Sequence, residues 1–176
     1  MLEIILTILV VISLLLFIFV IINNRFQLSI IKIEKAEEDI ELYLQKKQDL
    51  LSRTKPILKK ELKTKKVLEE IEDIPENANN FELHNILKSS YNELFKILDE
   101  NEKLLKSDNL VKILDSLNTN EENIIGAIKF YNDTVVGFNQ LIVTFPSSLV
   151  AFFKRYKKKD FYNNEKREIF EILNEK

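Results

Sequence analysis

From Ile4 to Ile22 the chain carries nineteen consecutive uncharged residues, apolar except for Thr7 and Ser13. At 1.5 Å per residue, a helix of that length spans roughly 28 Å, about the thickness of a bilayer's hydrocarbon core. A helix satisfies every backbone N–H and C=O inside such a segment. Thr7 and Ser13 can return their hydroxyls to carbonyls one turn earlier. A cleaved secretory signal would need a basic leader, a shorter apolar stretch and small residues at the cleavage site. Here the leader is Met1-Leu2-Glu3, and Asn23-Asn24-Arg25-Phe26 follows the run. The expectation is a retained, single-pass anchor over residues 1–24. No Lys or Arg precedes the run, whereas Arg25, Lys32 and Lys35 follow it closely. That bias predicts an inner (cell) membrane protein with its short N-terminus outside and everything after the anchor cytoplasmic.

The rest of the chain reads as helix. In 176 residues there are two glycines and three prolines, too few for a turn-rich β architecture. No cysteine is present, which excludes disulfides, thiol nucleophiles and cysteine-ligated metals. Apolar residues then recur at helical spacing. Leu110, Leu114, Leu117, Ile124, Ile128, Tyr131, Val135, Phe138, Ile142 and Phe145 step by fours and threes, with Glu121 alone breaking the seam. Ser107 or Asp108 is the expected N-cap of this long helix, and Pro146 its end. Leu87, Tyr91, Leu94, Leu98 and Leu105 line a helix from about Phe81 to Lys106. Phe26, Ile30, Ile33, Ile40, Leu44 and Leu51 line one continuing out of the anchor. Leu58, Leu62, Leu68 and Ile71 suggest another, from Pro56 to Asp73. The segment from Ile74 to Asn80, with Pro75 and its asparagines, is the clearest loop.

The fold class is therefore all-α: an N-terminal transmembrane helix followed by an up-and-down bundle over residues 25–146, then an amphipathic, basic segment and tail over 147–176. Four helices are favoured, with turns at Pro56, near Asn77 and near Ser107, because three would differ greatly in length. Four passes return Phe145-Pro146 to the side of Arg25. A helix merely kinked at Pro56 leaves three passes and the segment far away.

Glu122-Asn123-Ile124, Ala127, Tyr131-Asn132, Val135, Phe138-Asn139 and Ile142 lead into Phe145-Pro146-Ser147-Ser148-Leu149-Val150-Ala151. This run resembles the C-terminal signature of the LemA family, in which a Tyr-Asn pair recurs a heptad later before a Phe-Pro-Ser turn. Ala36, Asp39-Ile40, Leu44, Lys46-Lys47 and Asp49-Leu50-Leu51 resemble its membrane-proximal motif, and Lys157 to Tyr162 its short basic and aromatic close. The chain departs from the family where Ser52-Arg53-Thr54 replace Pro-Asn-Leu, and where the usual tryptophan after the alanine is missing. The resemblance implies a single-pass bacterial protein with a helical-bundle domain and a largely undefined biochemical role.

Few residues invite chemistry. His84 is the single histidine and has no neighbouring Cys or second His, so it reads as a surface or boundary residue. Glu37-Glu38, Glu69-Glu70 and Glu121-Glu122 read as solvated helix faces. No glycine-rich phosphate loop, serine elbow or zinc motif occurs. The expectation is no enzyme, no metal and no cofactor. A net charge of −2 argues against a nucleic-acid partner.

Two sets of residues remain. Asn132 and Asn139 sit a heptad apart at the edge of the seam, placed to hydrogen-bond across to an adjacent helix and set the bundle's register. Ser147 or Ser148 can cap a short helix whose Leu149, Phe152, Phe153 and Tyr156 share one face. Lys154, Arg155, Lys157, Lys158 and Lys159 flank that face. Such a segment suits an anionic lipid surface, or else caps the bundle core. The leading expectation is a membrane-tethered interaction module with a protein partner. The alternative is a lipid-organising protein acting through residues 149–159.

Overall fold

The computed structural model describes residues 1–63, 67–72, 74–75 and 78–162. Four α-helices account for most of them: α1 (Leu2–Leu62), α2 (Asn80–Glu100), α3 (Asp108–Val143) and α4 (Ser147–Lys154), with 3-10 turns at Glu69–Ile71 and Glu102–Lys106. No strand occurs among the described residues. Of these helices α1 is the one long and apolar enough by itself to cross a membrane, and none of its apolar window is buried. Within that window Thr7 Oγ1 donates to Glu3 O at 2.9 Å, and Ser13 Oγ to Leu9 O at 2.8 Å.

The chain divides into two compact units, Glu37–Lys129 and Met1–Ala36 with Phe130–Lys176. In the Glu37–Lys129 unit, α1 does not turn at Pro56. It continues to Leu62 and ends on Lys63, whose φ of 52° is left-handed. The ring costs one backbone hydrogen bond, but Pro56 is exposed, so water reaches the carbonyl that loses its partner. The expected separate helix from Pro56 is thus the last turns of α1. Leu58, Leu68 and Ile71 are buried as foreseen, the latter two at a 3-10 turn rather than in an α-helix. Asp73, Glu76 and Asn77, where that helix and the following loop were expected, lie outside the described residues.

The described residues between α1 and α2, 67–72, 74–75 and 78–79, run back along α1. Glu72 meets Lys55 at 2.5 Å, while Ile74, Pro75, Ala78 and Leu83 share a cleft with Glu41, Gln45 and Gln48. α2 therefore starts beside Glu41, reaches Lys47 at Tyr91, and runs in the same direction as α1. Among the described residues, the leg between α1 and α2 thus carries a 3-10 turn where a second α-helix was expected. Asn79 opens α2 with a complete capping box, accepting from Phe81 N and Glu82 N while Glu82 accepts from Asn79 N. α2 stops at Glu100, short of Lys106. The 3-10 turn that follows shifts the register, so Leu104 is buried and Leu105 is 48% exposed. Ser107 caps α3, its Oγ accepting from Leu110 N at 3.5 Å.

In the other unit, Phe26 and Ile33 of α1 and Val135 and Phe138 of α3 form the core, with Val150 and Ala151 of α4 buried as well. Of the seam positions, Ile128 and Ile142 are half-buried. Phe145 is 77% exposed, because the helix has already broken at Thr144. Its expected burial is corrected accordingly.

Candidate functional site

α4 leaves α3 at 92°. Its N-cap is Pro146 without a side-chain cap. Ser147 does not take that role, because its Oγ donates back to Thr144 O at 2.7 Å. Val150 and Ala151 face inward, while Leu149, Phe152 and Phe153 are 53%, 78% and 73% exposed. Arg155 closes the helix in a left-handed conformation, and Tyr156 N bonds Ala151 O at 3.0 Å. This turn separates Tyr156 from the face that the sequence assigned it. Its ring stacks 4.7 Å from Phe26 and 6.2 Å from Phe138, and its hydroxyl accepts from Gln27 Nε2 at 2.7 Å.

Lys154, Arg155, Lys157, Lys158 and Lys159 are all exposed. Phe152, Phe153, Arg155 and Lys157 share one shallow concavity, so aromatic and basic groups do come together. Phe145 and Pro146 line a pocket with Ile18, Ile21, Ile22 and Arg25. Phe145-Pro146 thus returns to Arg25, as the four-pass count requires, although Pro56 makes no turn.

The heptad-spaced amides answer a different need from the one inferred. Asn139 donates from Nδ2 to Lys159 O and accepts at Oδ1 from Lys159 N, both at 2.9 Å. Asn132 Oδ1 accepts from Tyr162 N at 2.9 Å. Tyr131 donates its hydroxyl to Asp160 O at 3.0 Å, and its ring meets that of Tyr162 edge-on. These bonds run to the non-helical backbone of 159–162 rather than across to an adjacent helix, so the expected register role is corrected. Non-helical chain exposes N–H and C=O groups without partners, and a carboxamide offers one of each. Burial raises the Tyr162 phenol's pKa. Residues 163–176, the rest of the expected tail, lie outside the described residues.

The Glu37–Lys129 unit holds a polar cluster that sequence reasoning missed. Lys47 is fully buried, with its Nζ 2.5 Å from Glu121 Oε2 and 4.7 Å from the Tyr91 ring centroid. Tyr91 OH donates to Asn118 Oδ1 at 2.9 Å. Buried Asn120 donates to Tyr43 O at 2.9 Å, and its Oδ1 is left without a partner. Desolvation lowers the pKa of Lys47 against the pull of Glu121, and desolvation raises that of Tyr91. The break at Glu121 was the available signal, since a carboxylate on a buried seam demands a cation. His84 is half-buried nearby, its pKa lowered first by desolvation and then by the charge of Lys47. No group of three His, Cys, Asp or Glu side chains able to hold a metal ion occurs among the described residues.

Taken together, an all-helical chain, one helix of membrane-crossing length and a clamped C-terminal segment define the class. Residues 36–172 match the LemA family, and the chain belongs to it. The match includes Tyr131-Asn132, Phe138-Asn139 and the Phe145-Pro146-Ser147 turn. No curated protein matches the chain.

Proposed function

We propose that the protein is a non-enzymatic, single-pass membrane scaffold, anchored by the apolar part of α1 and steadied by α4 on the cytoplasmic leaflet. In this reading it presents its helices to a protein partner. The observation that carries the reading is the placement of exposed Leu149, Phe152 and Phe153 after a bend that lies beside Ile18 and Arg25. Aromatic rings favour the interface between bilayer and water. Lysines and arginines there contribute about 1 kcal/mol each towards an anionic surface. The charge bias of Arg25, Lys32 and Lys35 supports a cytoplasmic bundle with the N-terminus outside.

Full-length protein should sediment with membranes and resist alkaline carbonate. Because the chain has no cysteine, Glu3→Cys and Glu61→Cys each create a unique thiol. An impermeant maleimide applied to intact cells should label the first and spare the second. Spin labels at positions 153 and 158 should report headgroup proximity. A soluble chain removes the anchor, the opposite labelling inverts the topology, and labels that see only bulk water remove the α4 contact.

A further inference from the structure

The bend between α3 and α4 closes one end of a pocket against α1. Its volume is about 460 Å³, within the range of small-molecule sites. Ile18, Ile21, Leu141 and Phe145 supply apolar wall, while Arg25, Gln140 and Thr144 supply polar groups. This ordering follows the sequence, because Ile18 and Ile21 belong to the apolar run and Arg25 is the first charge after it. Among the described residues, Arg25 has no carboxylate partner and the side chains of Gln140 and Thr144 make no hydrogen bond. Three exposed polar groups that are not engaged by other protein side chains therefore share one cleft with apolar side chains.

We propose that this pocket holds one phospholipid of the surrounding leaflet, with its phosphodiester on the Arg25 guanidinium and the start of an acyl chain along Ile18, Ile21 and Phe145. The proposal rests on the reading of α1 as the anchor. A guanidinium presents parallel N–H donors matched to phosphate oxygens. Gln140 and Thr144 can donate to the remaining phosphate or ester oxygens. The volume admits the head and the first part of one chain, and the remainder stays in the bilayer. An apolar wall beside a cation fits an anionic amphiphile better than a water-soluble ligand. Gly137 also lines the pocket, and a Cβ added there would meet nothing within 4 Å. A side chain can therefore begin there without its Cβ meeting a protein atom, and a branched one would extend towards the pocket.

The test uses full-length protein in phosphatidylcholine nanodiscs doped with phosphatidylglycerol bearing a diazirine near the top of one acyl chain. Photolabel should concentrate on Leu141 and Phe145, and fall roughly ten-fold in Arg25→Gln, as loss of one charge-assisted contact implies. It should fall as well in Gly137→Leu, whose side chain competes for the space. A diacylglycerol probe with the same diazirine but no phosphate should label these residues correspondingly less. Soluble glycerol phosphate should not compete. Equal labelling by the two lipids, native labelling in either variant, competition by glycerol phosphate, or a crosslink from this pocket to a second protein chain would each overturn the proposal. Protein absent from the nanodiscs would instead overturn the anchor reading, and this proposal with it.

Discussion

The two units meet the same difficulty, polar side chains on the buried side of α3, with different chemistry. In Glu37–Lys129, Glu121 is answered by a full charge on Lys47. In the other unit, Asn132 and Asn139 are answered by main-chain atoms of residues 159–162. An ion pair inside a helical interface carries a large desolvation cost and is exposed to the loss of either partner. A carboxamide carries no charge and supplies both a donor and an acceptor, so it suits a non-helical stretch of chain laid on a helix. The first arrangement joins helix to helix, and the second joins helix to non-helical chain.

Breaking the ion pair should have the largest effect. Glu121→Leu leaves the Lys47 ammonium buried without its carboxylate and should cost about 3 kcal/mol in urea unfolding of the detergent-solubilised protein. Adding Lys47→Met should recover most of that loss, and a double variant no better than the single would show that the pair is not the source. In the other unit, Asn139→Leu removes two hydrogen bonds from Lys159 and should cost about 2 kcal/mol. Amide exchange should accelerate at 159–162 while α3 stays protected, and uniform acceleration would contradict a local clamp. Tyr156→Phe keeps the stack on Phe26 and loses only the bond from Gln27, an exposed one, for about 0.5 kcal/mol or less. Tyr156→Ala should cost several times as much, and equal costs would mean that the hydroxyl rather than the ring holds the segment.

The smallest effect is a pH dependence confined to the Glu37–Lys129 unit. The folded pKa of His84 lies below its ordinary 6.5, so the unfolded chain takes up a proton first as pH falls. Its contribution to stability is complete above 6.5 and declines from there down through the lowered folded value. The imidazole resonance, unique in this chain, should titrate below 6.5, and His84→Gln should flatten that part of the stability profile. A titration at 6.5 would place His84 in solvent, and one above 6.5 would mean that the pull of Glu121 outweighs burial.

The seam of α3 was legible because a sustained 3.5-residue apolar repeat has few structural solutions, and Leu110, Leu117, Ile124, Val135 and Phe138 are buried as the spacing demands. Pro56 misled because a proline's cost depends on exposure, which periodicity does not report. The segment at Val67–Glu72 was unreadable as such, since Leu68 and Ile71 bury themselves at spacings that an α-helix also allows. Glu121 was visible as an anomaly, but naming Lys47 required the helices to be placed side by side. Tyr156 was assigned to the wrong face because no sequence pattern announces a left-handed turn at an arginine. The asparagines stood out in the sequence as polar residues at the edge of the seam. Their partner did not, because a non-helical segment has no periodicity to betray it.

The way Asn139 grips Lys159 also separates anchoring from identity. It touches only the N–H and C=O, atoms that nineteen of the twenty amino acids present alike. The lysine's own side chain points into solvent and takes no part. Charge at that position can therefore be raised, lowered or reversed without unfastening the segment, and only proline, which has no N–H to offer, is barred. Residues 159–162 thus form a fixed mount on which the electrostatic character of this part of the molecule can be exchanged.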